Sequence, residues 1–87
     1  MATETTIKVR VRTFARVREL LGNDFQVDLV EGATVADLWE QLRLRDREMD
    51  AIARAIRIAV NGRIVPLLDA RLRDGDEVSL LPPVGGG

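Results

Sequence analysis

The sequence predicts an α+β domain in which a mixed sheet of about five strands packs on one principal helix, with short extra helices. Apolar and polar residues alternate with a period of two in several separate segments, as half-buried strands require. Between those segments runs a longer stretch with apolar residues at helical spacing behind an N-cap residue. The turn signals Asn61-Gly62 and Asp74-Gly75-Asp76 then punctuate the carboxyl-terminal half.

Ile7, Val9 and Val11 alternate with Lys8, Arg10 and Arg12, which predicts a first strand with one buried and one wet face. From Thr13 the period changes. Phe14, Val17, Leu20 and Leu21 fall at helical spacing, and Gly22-Asn23 supplies residues that tolerate positive φ at the end of a short helix. Phe25, Val27 and Leu29 alternate again, and Glu31-Gly32 closes that second strand as a turn. Thr34 stands at an N-cap position with Asp37 three residues on, so the main helix begins here.

Val35, Leu38, Trp39 and Leu42 share one face of that helix, and Trp39 is expected in the core because large rings are scarce in the chain. Met49, Ile52, Ala53 and Ile56 repeat the helical spacing, so a second helix, or an extension of the first, reaches about Arg54. Ile56, Ile58 and Val60 predict a third strand that turns at Asn61-Gly62 into Arg63-Ile64-Val65. Pro66 has no amide hydrogen, which makes the returning strand short or marginal to the sheet. Leu67 to Leu72 forms a compact connection, and Glu77 to Leu81 the last strand.

The chain has 87 residues, enough for one small core, expected over residues 1–81, followed by an extended tail at 82–87. With 13 basic and 14 acidic side chains the formal charge is -1, so no global field attracts nucleic acid or an anionic membrane. Lys8 is the only lysine, which leaves one internal amine for any lysine-directed modification. Cysteine and histidine are absent, removing thiolate nucleophiles, imidazole bases and the usual zinc ligands. No apolar run approaches the roughly 20 residues that span a bilayer, and Met1 to Thr6 carries no signal-peptide pattern. A cytoplasmic protein without a bound cofactor or metal is expected.

The tail reads Pro82-Pro83-Val84-Gly85-Gly86-Gly87. The prolines favour an extended, stiff segment that leads away from the globule. The glycines carry no side chain that could obstruct a narrow channel. A frayed end, a linker remnant and a flexible tether account equally well for the glycines alone. No glycine-rich loop lies between a strand and a helix, so the glycines do not form a phosphate cradle. A terminal carboxylate becomes an acyl donor only after activation, for instance as an acyl-adenylate.

Phe14-Ala15-Arg16-Val17-Arg18-Glu19-Leu20-Leu21-Gly22 after the first strand, Ala59-Val60-Asn61-Gly62, and Leu72-Arg73-Asp74-Gly75-Asp76-Glu77-Val78 leading to Leu81-Pro82-Pro83-Val84 and the glycines together resemble the MoaD family. That family is the small subunit of molybdopterin synthase. The resemblance covers residues 7–87 and implies a ubiquitin-like β-grasp fold. It implies that Gly87 carries first an acyl-adenylate and then a thiocarboxylate, with Gly86 completing the family's terminal pair. It implies as partners a MoeB-like E1 activating enzyme, which consumes ATP, a sulfur donor protein and a MoaE-like large subunit that receives the tail. Gly85 stands where serine or alanine is common, which loosens the tail. The chain is then a co-substrate and not a catalyst.

Leu81 matches a position where the family carries a bulky apolar residue against its partner, and simple core packing explains it as readily. Lys8, Arg10, Arg12, Arg16 and Arg18 offer a basic stretch for an acidic partner surface, or only a solvated face. Asp74 and Asp76 are expected as turn formers. Sulfur transfer to thiamine thiazole or to tRNA, and isopeptide conjugation to lysines, use the same terminus and remain open.

Overall fold

The computed structural model describes residues 5–65 and 68–82. Five strands, β1 (Thr6–Thr13), β2 (Phe25–Val30), β3 (Arg57–Val60), β4 (Arg63–Ile64) and β5 (Glu77–Leu81), form one sheet in the order β2-β1-β5-β3-β4. The first and last strands lie side by side and parallel, with Val11 opposite Val78 and Thr13 opposite Leu80. All other pairings are antiparallel. The helices are α1 (Ala15–Leu21), α2 (Val35–Arg45) and α3 (Glu48–Ile52), the last continued by a 3-10 turn at Ala53–Ala55. This is the ubiquitin-like β-grasp that the resemblance implies: a mixed sheet curled around one principal helix.

The alternation in the sequence becomes two faces of the sheet. Ile7, Val9, Val11, Val27, Leu29, Ile58, Val78 and Leu80 point inward and meet Val35, Leu38 and Leu42 of α2, Val17 of α1 and Met49 of α3. Thr6, Lys8, Arg10, Asp28, Gln26 and Arg57 point outward. A fully buried aliphatic side chain contributes about 1.5–3 kcal/mol relative to an exposed one, so this inner layer dominates stability.

The start of α2 accounts for all its freed backbone donors. Asp37 N–H donates to Thr34 Oγ1 at 3.3 Å, while Thr34 N–H donates to the Asp37 carboxylate at 2.8 Å, forming the capping box its sequence predicts. The amides of Val35 and Ala36 donate to the carbonyls of Ala70 and Leu68 at 2.9 and 2.8 Å. The connection before β5 is thereby clamped to α2, and Leu72 within it is buried.

Two details differ from the sequence expectations, and a third, the helix boundary, was left open by them. Trp39 is half-buried and flanks the core, because Val35, Leu38 and Leu42 occupy the centre of the helix face and the ring falls to one side, near Ala53, Ile56, Ile58 and Leu68. The boundary between the two middle helices is made by Asp46, whose carboxylate accepts from the Glu48 amide at 2.9 Å after α2 has ended. Of the Gly22-Asn23 pair only Gly22 takes a positive φ, at 92°. At the predicted hairpin both Asn61 (φ 50°) and Gly62 (φ 85°) do so, and β4 after it is a two-residue edge strand. Pro66 lies outside the described residues.

Candidate functional site: the root of the carboxyl-terminal tail

Leu81 ends β5, the middle strand of the sheet, and Pro82 follows it exposed to solvent. Pro83, Val84, Gly85, Gly86 and Gly87 lie outside the described residues. The root of the tail is held from both sides: Leu80 pairs with Thr13 of β1, and Leu81 pairs with Arg57 of β3. Pro82 thus follows a strand that is paired on both sides.

Neighbouring residues of β5 serve opposite faces. Leu80 is fully buried in the core. Leu81 shares the outer face with Glu77 and Ser79 and is half-buried there. Its surroundings on that face follow from the register: Arg57 opposite, then Ala59 opposite Ser79, then Ile64 opposite Ala59. Ala59 is buried and Ile64 is 50% exposed, so a low, partly apolar surface extends from the tail root towards the β4 edge. Leu81 therefore lies on the outer face and not in the core layer.

Thr13, at the matching end of β1, has no exposed surface. Its hydroxyl donates to Gly22 O at 2.7 Å, its amide donates to Asp24 Oδ1 at 2.9 Å, and its carbonyl accepts from Arg18 at 2.8 Å. Every polar atom of this buried residue is satisfied, as burial demands. Phe14 then leaves β1 at the end of the sheet where Leu81 leaves β5. Its ring lies beneath two guanidiniums, Arg12 at 5.3 Å and Arg18 at 6.0 Å from the centroid.

The basic stretch is divided by these contacts. Arg12 reaches Asp24 (3.7 Å) and Glu77 (3.6 Å), Arg16 bonds Glu19 (2.9 Å) and Glu48 (2.6 Å), and Arg18 approaches Asp24 (3.9 Å). The hydrogen bond from the Thr13 amide, with Arg12, Arg18 and Arg10 nearby, holds the Asp24 carboxyl below its ordinary range. Arg16 is raised by its hydrogen bond to Glu19 and by the charge of Glu48. Lys8 and Arg10 remain exposed on the outer face.

Asp74 and Asp76 are turn formers, as the sequence predicts. Asp74 accepts from the Lys8 amide at 2.8 Å, and Asp76 accepts from the Arg73 amide at 2.7 Å and from Asn61 Nδ2 at 2.9 Å. Among the described residues, no three His, Cys, Asp or Glu side chains gather as a metal-ligating group. No described helix is long and apolar enough to cross a membrane.

Sequence reasoning had missed Arg57 and Thr13 at the tail root. Arg57 is a neighbour of Leu81 only through the β3–β5 register, which local sequence does not encode.

A model of the ThiS family matches residues 11–87. The molybdopterin synthase sulfur carrier subunit of Chlamydomonas reinhardtii is 34% identical over 83 residues, covering 93% of this chain and 100% of that protein. The small archaeal modifier protein 3 of Haloferax volcanii is 35% identical, covering 93% of this chain and 100% of that protein. Among solved structures, a Pyrococcus furiosus protein described as a molybdopterin converting factor subunit 1 superposes with a TM-score of 0.81 at 39% identity, covering 90% of this chain and 99% of that one. In a complex of subunits 1 and 2 of the molybdopterin-converting factor from Helicobacter pylori, one chain superposes with a TM-score of 0.68 at 27% identity, covering 93% of this chain and 100% of that one. The chain belongs to the ThiS/MoaD family, whose members among these relatives include named sulfur carrier subunits.

Proposed function

We propose that this chain is the sulfur carrier subunit of a molybdopterin synthase, acting in the cytoplasm. The observation that carries the proposal is the placement of Pro82-Pro83-Val84-Gly85-Gly86-Gly87 directly after the central strand, at the end of a chain that matches carrier subunits over nearly its whole length. A MoeB-like E1 enzyme uses ATP to adenylylate the Gly87 carboxylate, and pyrophosphate leaves. Sulfur delivered at the sulfide level by a donor protein then attacks the acyl carbon, and AMP leaves to give the thiocarboxylate. The tail, slim because Gly85, Gly86 and Gly87 have no side chains, enters a MoaE-like large subunit and gives its sulfur to the pterin precursor. The chain binds no cofactor of its own in this scheme.

The surface of Leu81, Ala59 and Ile64 is where the partner is docked, and the complex of two converting-factor subunits from Helicobacter pylori supports a large subunit as that partner. Incubation with an E1-like enzyme, ATP and a sulfur donor replaces one carboxyl oxygen by sulfur, measured by intact mass. An unchanged mass with an enzyme active on its own carrier overturns the proposal. The similarity to a small archaeal modifier protein favours a second reading, isopeptide conjugation to lysines. Conjugates on denaturing gels that vanish on removal of Gly86 and Gly87 would support it.

A further inference from the structure

The distribution of amines over the surface bears on how an activated terminus survives. Twelve of the thirteen basic side chains are arginine, and Lys8 is the single lysine. Lys8 accepts a hydrogen bond at its carbonyl from the Gly75 amide at 2.8 Å, which places it beside the start of β5 and six residues back from Leu81. At about 3.3 Å per residue that is roughly 20 Å from the tail root. Six fully extended residues span at most about 20–22 Å. Lys8 therefore lies farther along the sheet from the tail root than Arg57 and Arg12 do.

The cations at the root itself are different. Arg57 pairs with Leu81, Arg12 is opposite Ser79, and Arg18 donates to the Thr13 carbonyl beside Leu80. A guanidinium stays protonated at all working pH values and does not attack an acyl group, whereas a lysine ammonium releases a nucleophilic amine. Tethering an amine and an acyl group on one short segment raises their effective concentration to about the millimolar range or higher.

We propose that the cations around the tail root are arginines and not lysines so that side chains placed there to pair with Asp24 and Glu77 and to flank Leu81 do not discharge the activated Gly87 in cis. The proposal rests on Gly87 being an activated acyl group. The reaction avoided is aminolysis: the amine nitrogen attacks the Gly87 carbonyl carbon, a C–N bond forms, the bond to the leaving group breaks, and the leaving group departs with the proton from nitrogen.

The test uses the chain as a carboxyl-terminal thioester made by intein thiolysis, so it is independent of any activating enzyme or sulfur donor. R57K, R12K and the control Arg57→Ala are followed by intact mass and peptide mapping at mildly alkaline pH, and far-UV circular dichroism establishes that each is folded. The parent chain and Arg57→Ala are expected to hydrolyse to the acid. R57K and R12K are expected to yield several-fold more of a lactam, one water lighter than the acid, with Gly87 joined to position 57 or 12. Lactam in neither lysine variant above the parent level would overturn the proposal. So would a parent chain that cyclises onto Lys8 as fast as R57K does onto position 57. If the thioester behaves as expected but enzymatic sulfuration fails, the fault lies with the proposed function and not with this surface.

Discussion

Leu80 and Leu81 are adjacent in sequence and opposite in role, so truncating each separates folding from partner contact. Leu80 has no exposed surface and sits between Thr13 and Ile58 in the core layer. L80A removes buried methyl groups and leaves a cavity, at a cost of about 2–5 kcal/mol. In a domain of this size each kcal/mol shifts the melting temperature by about 4–8 °C, so a fall of at least about 8 °C is expected. Leu81 is half-buried on the outer face, and L81A should cost less than about 1 kcal/mol. Its effect belongs in binding, where truncation of an apolar anchor weakens a complex by about 1–2 kcal/mol, roughly tenfold in Kd. Thermal denaturation gives the first quantity, and titration of a MoaE-like subunit gives the second. If L81A melts as low as L80A and binds the large subunit normally, Leu81 is a core residue and the partner does not dock on this surface.

Other perturbations follow from single contacts. T34A removes the acceptor for the Asp37 amide and should destabilise the fold by about 0.5–2 kcal/mol in urea denaturation. N61A loses the bonds to the Glu77 amide and to Asp76, both 2.9 Å, and places alanine at φ 50°, so a loss of about 1–3 kcal/mol is expected by the same method. Asp24 is held below its ordinary range in the folded state, so its contribution is complete above the unfolded carboxyl value near about 4 and is lost as pH falls through the folded value. The stability gap between the parent and D24N should therefore be widest near neutrality and close in acid, and a gap that grows in acid would contradict the assignment.

Much of this structure is legible in local sequence because local physics sets it. Period-two alternation marks β1 and β2, Thr34 and Asp37 mark the start of α2, and Asn61-Gly62 marks the hairpin. The break at Asp46 has neither glycine nor proline to announce it, and depends on one side chain competing for the Glu48 amide. Trp39 was expected in the core because large rings are scarce in the chain, but its depth depends on which residues of the sheet lie beneath its helix face. The chemistry of the tail was implied by the resemblance of the whole chain and not by its composition, which fits a frayed end as well. The root of the tail was not legible, since the neighbours of Leu80 and Leu81 arrive from β1 and β3 through pairings between segments distant in sequence. The buried hydroxyl of Thr13 is hidden for the same reason: its partners Gly22 and Asp24 close a loop around α1.

In the proposed function sulfur leaves this chain for a small molecule and not for a protein. The most direct measurement loads the Gly87 thiocarboxylate with isotopically labelled sulfur, adds a MoaE-like subunit and the pterin precursor, and follows the label. Label moving from the intact chain into the pterin fraction, with the chain returned to its carboxylate and no transfer from a chain lacking Gly86 and Gly87, is the predicted result. Label retained on the chain or released without pterin product, with Gly87 recovered in isopeptide bonds to lysines, would contradict it.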